Sequence, residues 1–171
     1  MTDSMSEHAR LWNEYFQVVV TDREGDELLD GQEWIDKNLI GELADQAEQT
    51  GGSIHVLTSH ELLGFTLSYS VDIKARLEEL VRRFRLFEMP VIIDCDGGVT
   101  CLVRIQPGLS IRTGEVEPGL IIHPQGTLIE LPPSSCPDYW YWLHPDELSY
   151  ASAAFLAFLR PEQTAVVRCL K

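Results

Sequence analysis

The sequence lacks the long apolar segments that would place the chain in a membrane or direct it across one. Its longest nearly apolar stretch, residues 151–159, is far shorter than the roughly 18 residues that a membrane-spanning helix needs. Residues 1–10 contain no apolar core of a signal peptide. We therefore expect a cytoplasmic protein that makes no contact with a membrane.

Basic residues are scarce. The 171 residues include 13 Lys and Arg against 27 Asp and Glu, which gives a formal net charge of −14. Domains that bind nucleic acid directly normally carry a basic patch, so this balance argues against direct contact with nucleic acid. The hydrophobic content of 44% still provides a proper core.

The motifs of common enzymes are also missing. The four cysteines form no C-x-x-C pair, the five histidines show no H-E-x-x-H spacing, and there is no G-x-S-x-G, phosphate-binding or dinucleotide-binding glycine motif. Four scattered cysteines favour small core residues in a reducing compartment. The sequence assigns no catalytic residue, and it favours binding over enzymatic activity without deciding between them.

The patterns that are present predict an α+β fold, with about three helices packed on a mostly antiparallel sheet. Residues 11–171 are expected to form a single domain after a polar tail at residues 1–10. Apolar residues at helical spacing predict helices within residues 30–50, 72–88 and 145–160. Short β-branched or alternating segments predict strands near residues 17–22, 53–59, 63–71, 91–95, 99–105, 109–112, 120–123, 127–131, 139–143 and 164–170.

Acidic residues are concentrated in the first third of the chain. Residues 1–50 hold 13 acids and 3 bases, a balance of −10 out of the total of −14. In the first long predicted helix, carboxylates three residues apart form one acidic stripe. Such a stripe either keeps the protein soluble or meets a basic partner. The residues assigned to partner contact on this helix are Glu33, Asp36, Glu42, Asp45 and Glu48.

An aromatic segment late in the chain is the second candidate contact. In a regular strand, Tyr139 and Tyr141 would lie on one face and Trp140 and Trp142 on the other. One pair is expected in the core, and the other is expected at the surface, where aromatic side chains often anchor partners. Tyr139 and Tyr141 are the pair assigned to partner contact.

Two aspartates in residues 91–98 (VIIDCDGG) are the sharpest chemical feature. Asp94 and Asp96 would lie on one side of a strand, where paired carboxylates can hold divalent cations. His123, or Glu130, could add a third ligand from a neighbouring strand. The alternative is an Asp-Gly hairpin turn with no metal.

The same region resembles a known family. Residues 91–96 (VIIDCD) look like the hydrophobic-Asp-x-Asp motif of the N-terminal primase-polymerase domain of bifunctional primase-polymerases. SIRTG at residues 110–114 and GTLIELPPSSCPDYWYWL at residues 126–143 are similar to further segments of that domain. The resemblance covers residues 91–143. It implies a degenerate relative in which Asp94 and Asp96 bind Mg²⁺ or Mn²⁺.

Two functions follow from these observations. The first is a binding module without a cofactor, an inhibitor or immunity-type protein that docks on a basic protein that handles nucleic acid. The alternative is a metal-dependent nucleotidyl-transfer enzyme that uses Asp94 and Asp96. The sequence leaves a homodimer open.

Overall fold

The computed structural model describes residues 4–28, 36–68, 72–134 and 137–161. These residues form an α+β fold with two antiparallel sheets, which confirms the predicted class. The helices are α1 (Met5–Asn13), α2 (Lys37–Thr50), α3 (Ile73–Phe84) and α4 (Ala153–Phe158), with a 3₁₀ turn at Pro145–Glu147. The strands are β1 (Val18–Thr21), β2 (Ser53–Leu57), β3 (Leu62–Leu67), β4 (Val91–Ile93), β5 (Val99–Arg104), β6 (Gly114–Glu117), β7 (Leu120–Ile122), β8 (Leu128–Leu131) and β9 (Asp138–Tyr141).

The larger sheet separates two hydrophobic clusters. Its six strands run in the order β6-β7-β3-β5-β4-β9, and the smaller sheet has the order β1-β2-β8. One face of the large sheet, with Phe65 and Val103, packs on α3 and α4. The opposite face, with Leu62 and Leu102, shares a core with the small sheet, α1 and α2. Side chains alternate between the faces of a strand, and the strands β3, β5 and β4 supply both clusters.

The expected polar tail at residues 1–10 is wrong from residue 4 onward. Ser4 caps α1 by accepting a hydrogen bond from the Glu7 N–H at 3.2 Å. Met5, Ala9 and Trp12 are buried, and their spacing of four and three residues forms a stripe on one helical face. Because most of the residues between these three are polar, the composition of the segment suggested a polar tail.

One expected strand also differs. Residues 109–112 form no strand, and β6 begins instead at Gly114. The expected strand at residues 164–170 lies outside the described residues.

The described cysteines meet the expectation of reduced core residues only in part. Cys101 is a free, buried thiol, and burial raises its pKa. Cys95, in contrast, is exposed and disulfide-bonded. Disulfides persist mainly in oxidising compartments, so Cys95 does not support the expectation of a reducing cytoplasm.

None of the described helices is long and apolar enough to cross a lipid bilayer.

Candidate functional site

Helix α2 turns one face to the core and the other to solvent. Ile40, Ala44 and Ala47 are fully buried. Glu42, Asp45 and Glu48 alternate with them along the helix and are exposed. The predicted acidic stripe therefore exists as a solvent-facing row of three carboxylates.

The other two acids assigned to this helix do not join the row. Asp36 is the N-cap of α2, and its carboxylate accepts a hydrogen bond from the Asn38 N–H at 2.8 Å. This bond satisfies one of the backbone donors that every helix leaves free at its first turn, so Asp36 has a structural role. Glu33 lies outside the described residues.

A second group of acids adjoins the end of α2. The Asp22 carboxylate accepts hydrogen bonds from the backbone N–H groups of Glu24 and Asp26, both at 2.9 Å. These bonds shape a turn in which Glu24, Asp26 and Glu27 are exposed. These residues are not among the predicted site residues, although their density of charge could have indicated them.

Gly52, the residue after the C-cap of α2, packs against the backbone at the start of this turn. A Cβ atom at this position would lie 2.2 Å from the Thr21 carbonyl oxygen and 3.2 Å from the Asp22 Cα. Only glycine permits this approach, because a Cβ atom cannot come so close to a backbone oxygen. The C-terminal end of α2 therefore lies directly against the start of the turn.

We call the resulting region the acidic surface. Among the described residues, none of its six carboxylates takes part in a salt bridge. Asp45 and Glu48 lie toward the C-terminal end of α2, where the helix dipole is negative and disfavours further negative charge. The last turn of α2 contains no basic residue. The members of the acidic surface are Glu24, Asp26, Glu27, Glu42, Asp45 and Glu48.

The predicted aromatic face is wrong because β9 contains an irregularity. Val91 pairs with Tyr141 and Ile92 pairs with Tyr139, so Trp140 is an extra residue between two consecutive pairs. Such a bulge reverses the alternation of side chains beyond it. Tyr139 consequently packs inward, and Tyr141 faces solvent with 53% of its surface exposed.

The inner aromatic residues form a ring cluster with α1. Tyr139 and Trp142 contact each other edge to face, with ring centroids 4.7 Å apart. Trp142 also contacts His8 and Trp12 of α1. Burial raises the pKa of the Tyr139 hydroxyl. Trp140, 47% exposed, and Tyr141 are the residues of β9 that remain available for contact.

The VIIDCDGG segment forms the hairpin turn that was one of the two predictions. The Gly97 N–H donates to the Asp94 carbonyl at 2.9 Å, and the Gly98 N–H donates to Asp96 Oδ1 at 3.1 Å. Gly97 has a φ of 83°, which favours glycine. The strand β4 ends at Ile93, so Asp94 and Asp96 belong to the turn.

Asp94 and His123 are connected through two threonines. The Thr100 hydroxyl donates to Asp94 Oδ2 at 2.8 Å. The Thr66 and Thr100 hydroxyls lie 2.6 Å apart, and Thr66 Oγ1 lies 2.7 Å from His123 Nε2. These side chains project from or beside the adjacent strands β7, β3, β5 and β4, so the hydrogen bonds cross four strands. We call this series the threonine chain.

Burial disfavours charge at both ends of the threonine chain. Burial, with smaller effects from the Asp96 and Glu130 carboxylates, raises the pKa of Asp94 against the opposing hydrogen bond from Thr100. Burial lowers the pKa of His123. The neutral imidazole is therefore favoured at His123.

This arrangement does not fit one metal centre made of Asp94, Asp96 and His123. Ligands of one divalent cation lie about 2.0–2.6 Å from it, whereas two hydroxyl groups separate His123 Nε2 from the Asp94 carboxylate. Glu130 accepts a hydrogen bond from the Ser53 hydroxyl at 2.5 Å, on the small sheet. Within the described part of the chain, no group of three or more His, Cys, Asp and Glu side chains is placed to hold a metal ion.

Thr66 and Thr100 are functional candidates that sequence reasoning missed. They are 34 residues apart, and only the strand pairing that places Thr66 opposite Thr100 brings them together. No local motif marks them.

Comparison with known proteins adds no assignment. No protein-family model matches the chain, and no curated protein matches it.

Proposed function

We propose that this protein is a binding module without catalysis, and that its acidic surface docks on the basic surface of a protein that handles nucleic acid. The observation that carries this proposal is a row of three exposed carboxylates that are unpaired within the described residues. One of them, Glu48, lies in the last turn of its helix, where the dipole disfavours negative charge. Charges that weaken a fold are expected mainly where they serve a function. Opposite charge on a partner raises the rate of association and selects for that partner.

A groove that binds phosphate backbones is the basic surface best suited to six clustered carboxylates. Such a groove presents Lys and Arg side chains in rows. An acidic protein bound there would block the groove, which is the action of an inhibitor or immunity-type protein. Trp140 and Tyr141 are exposed on an edge strand and offer an apolar anchor of the kind found at binding hot spots.

The test compares three forms of the protein against purified nucleic-acid-binding domains with a pI above about 9. The first form is the natural sequence, and the second carries Glu42→Gln, Asp45→Asn and Glu48→Gln. The matched control carries Glu61→Gln, Glu78→Gln and Asp138→Asn, which removes three exposed acids outside the acidic surface. Affinity is measured by calorimetry at several salt concentrations, with and without competing duplex DNA.

The natural sequence should bind at least one such domain, and duplex DNA should compete. The first triple variant should bind about tenfold more weakly, with a smaller dependence on salt, while the control changes little. Equal affinities of the two triple variants would overturn the role of the acidic surface. A lack of binding to every domain, or binding that DNA leaves unchanged, would overturn the proposed class of partner.

The alternative function, nucleotidyl transfer with Mg²⁺ or Mn²⁺ at Asp94 and Asp96, has weaker support. His123 does not join the two carboxylates, and Thr100 already occupies one Asp94 oxygen. Titration of Mn²⁺ into the natural sequence and into an Asp94→Asn, Asp96→Asn variant distinguishes the two functions. Binding that requires both aspartates would favour the enzyme.

A further inference from the structure

A small cavity lined by uncharged side chains lies beside His123. It has a volume of about 160 Å³ and is bounded by the end of β2, the start of β3 and the residues that follow β5 and β7. Leu62, Ile105 and Ile111 form part of its apolar wall, and Thr58, Thr113 and His123 contribute polar atoms. No Asp, Glu, Lys or Arg is found among the described residues that line it.

The size of the cavity limits its ligand. A cavity of about 150 Å³ lined by apolar side chains holds one benzene molecule. The cavity beside His123 therefore suits a molecule with a single six-membered ring. Because no charged side chain faces it, and because transfer of an unpaired charge from water is costly, the ligand should be neutral.

The threonine chain fixes which nitrogen of His123 carries the proton. The Thr100 hydroxyl donates to Asp94 Oδ2 and thereby uses its single proton. Thr66 must then donate its only hydroxyl proton to Thr100, which leaves the Thr66 oxygen as an acceptor for His123 Nε2–H. In a neutral imidazole protonated at Nε2, the other nitrogen, Nδ1, is a hydrogen-bond acceptor.

Nδ1 of His123 is available to a ligand. It makes no hydrogen bond to the described residues, and it is not one of their fully enclosed polar atoms. The ring lies over Gly64, where a Cβ atom would be 3.4 Å from its Cδ2, and the hydrogen bond between Nε2 and Thr66 Oγ1 fixes its orientation. His123 therefore provides an acceptor nitrogen on a residue that lines a cavity of mixed polar and apolar side chains, none of them charged.

We propose that this cavity binds a neutral single-ring molecule that carries one O–H or N–H group, and that the group donates a hydrogen bond to His123 Nδ1. This site is separate from the acidic surface and does not depend on the proposed partner. Asp94, Thr100 and Thr66 act as positioning residues, since they set the proton on Nε2 without touching the ligand.

The probes for the test are phenol, which has one O–H donor, and benzene, which has the same ring and none. Each is titrated into the full chain with ¹⁵N-labelled histidine and followed by NMR. Phenol should bind in the millimolar range, about fivefold more tightly than benzene, and should shift the His123 Nδ1 signal. Before addition, the ¹⁵N shifts should show His123 protonated at Nε2. Equal binding of the two probes, no binding of phenol, or protonation at Nδ1 would each overturn the proposal.

Two variants separate the cavity from the threonine chain. Leu109→Trp, at a residue that lines the cavity and is 38% exposed, should fill the space and abolish binding of both probes. Thr66→Val should remove the preference for phenol over benzene and allow both imidazole tautomers, while Thr66→Ser restores the preference. An unchanged preference in Thr66→Val, or full phenol binding in Leu109→Trp, would contradict the assignment.

Discussion

Two charged regions of this protein are built in opposite ways. On α3 and β6, Arg76 contacts both Glu79 and Glu117, and Arg83 Nη1 lies 3.0 Å from Glu117 Oε1. On the acidic surface, within the described residues, no carboxylate has a salt-bridge partner. Charge is paired between elements in the first region and left open to solvent in the second.

The charged residues of α3 and α2 also differ in how they interact with the dipole of their helix. Arg82 and Arg83 lie in the last turn of α3, where positive charge stabilises the helix dipole. Asp45 and Glu48 lie toward the same end of α2, where negative charge destabilises it. The charges of α3 therefore support the fold, and we attribute those of the acidic surface to partner binding.

The largest expected effect concerns the junction that holds the acidic surface together. Gly52→Ala would place a Cβ atom 2.2 Å from the Thr21 carbonyl oxygen, which the backbone can relieve only by moving. We expect a loss of about 3 kcal/mol in the free energy of unfolding, measured by urea denaturation. Gly41→Ala is the control, because its Cβ atom would meet the flexible end of the Arg10 side chain. A smaller loss in Gly52→Ala than in Gly41→Ala would show that the junction is not tightly packed.

A smaller effect is expected where charges are paired. Burial alone would raise the pKa of Glu117. The guanidinium groups of Arg83 and Arg76 outweigh this effect and hold the pKa below its usual value. Glu117→Gln should lower the free energy of unfolding at pH 7 by about 1 kcal/mol, because it removes the carboxylate between the two arginines. Glu78→Gln, an exposed acid on α3, should change it by less than about 0.5 kcal/mol.

The effect of Glu117→Gln should depend on pH with a defined sign. A carboxyl group whose pKa is lower in the folded state contributes stability above its unfolded pKa, about 4.3 for Glu. This contribution is lost as the pH falls through the lower folded value. The difference between the natural sequence and the variant should therefore begin to shrink below about pH 4.3 and disappear only when the pH lies below the lowered pKa of Glu117 in the folded state. A difference that persists at low pH would mean that packing, not charge, explains the loss.

The sequence was sufficient for elements whose signals are local. The apolar positions Ile73, Leu77, Leu80 and Phe84 predicted α3, and the Asp-Gly-Gly triplet predicted the turn after β4. Helix α1 was missed because polar residues make up more than half of it, although Met5, Ala9 and Trp12 form a helical stripe.

The candidate sites were predictable only in part. Glu42, Asp45 and Glu48 follow from helical spacing, and the structure places them as expected. The bulge in β9 exchanged the expected roles of Tyr139 and Trp140, while Tyr141 is exposed as expected, because one extra residue shifts the alternation and no local motif specifies it. The threonine chain depends on the register between strands distant in sequence, which composition and spacing do not determine.

The central claim is that the acidic surface weakens the fold and is present for a partner. The most direct test is the free energy of unfolding of the Glu42→Gln, Asp45→Asn, Glu48→Gln variant in low salt, compared with the natural sequence and the control triple variant. We predict an increase of about 0.5–1 kcal/mol, which shrinks as salt is added, because repulsion between like charges and the unfavourable interaction with the helix dipole are both removed. A decrease in stability would contradict the account, since it would mean that these carboxylates hold the fold together.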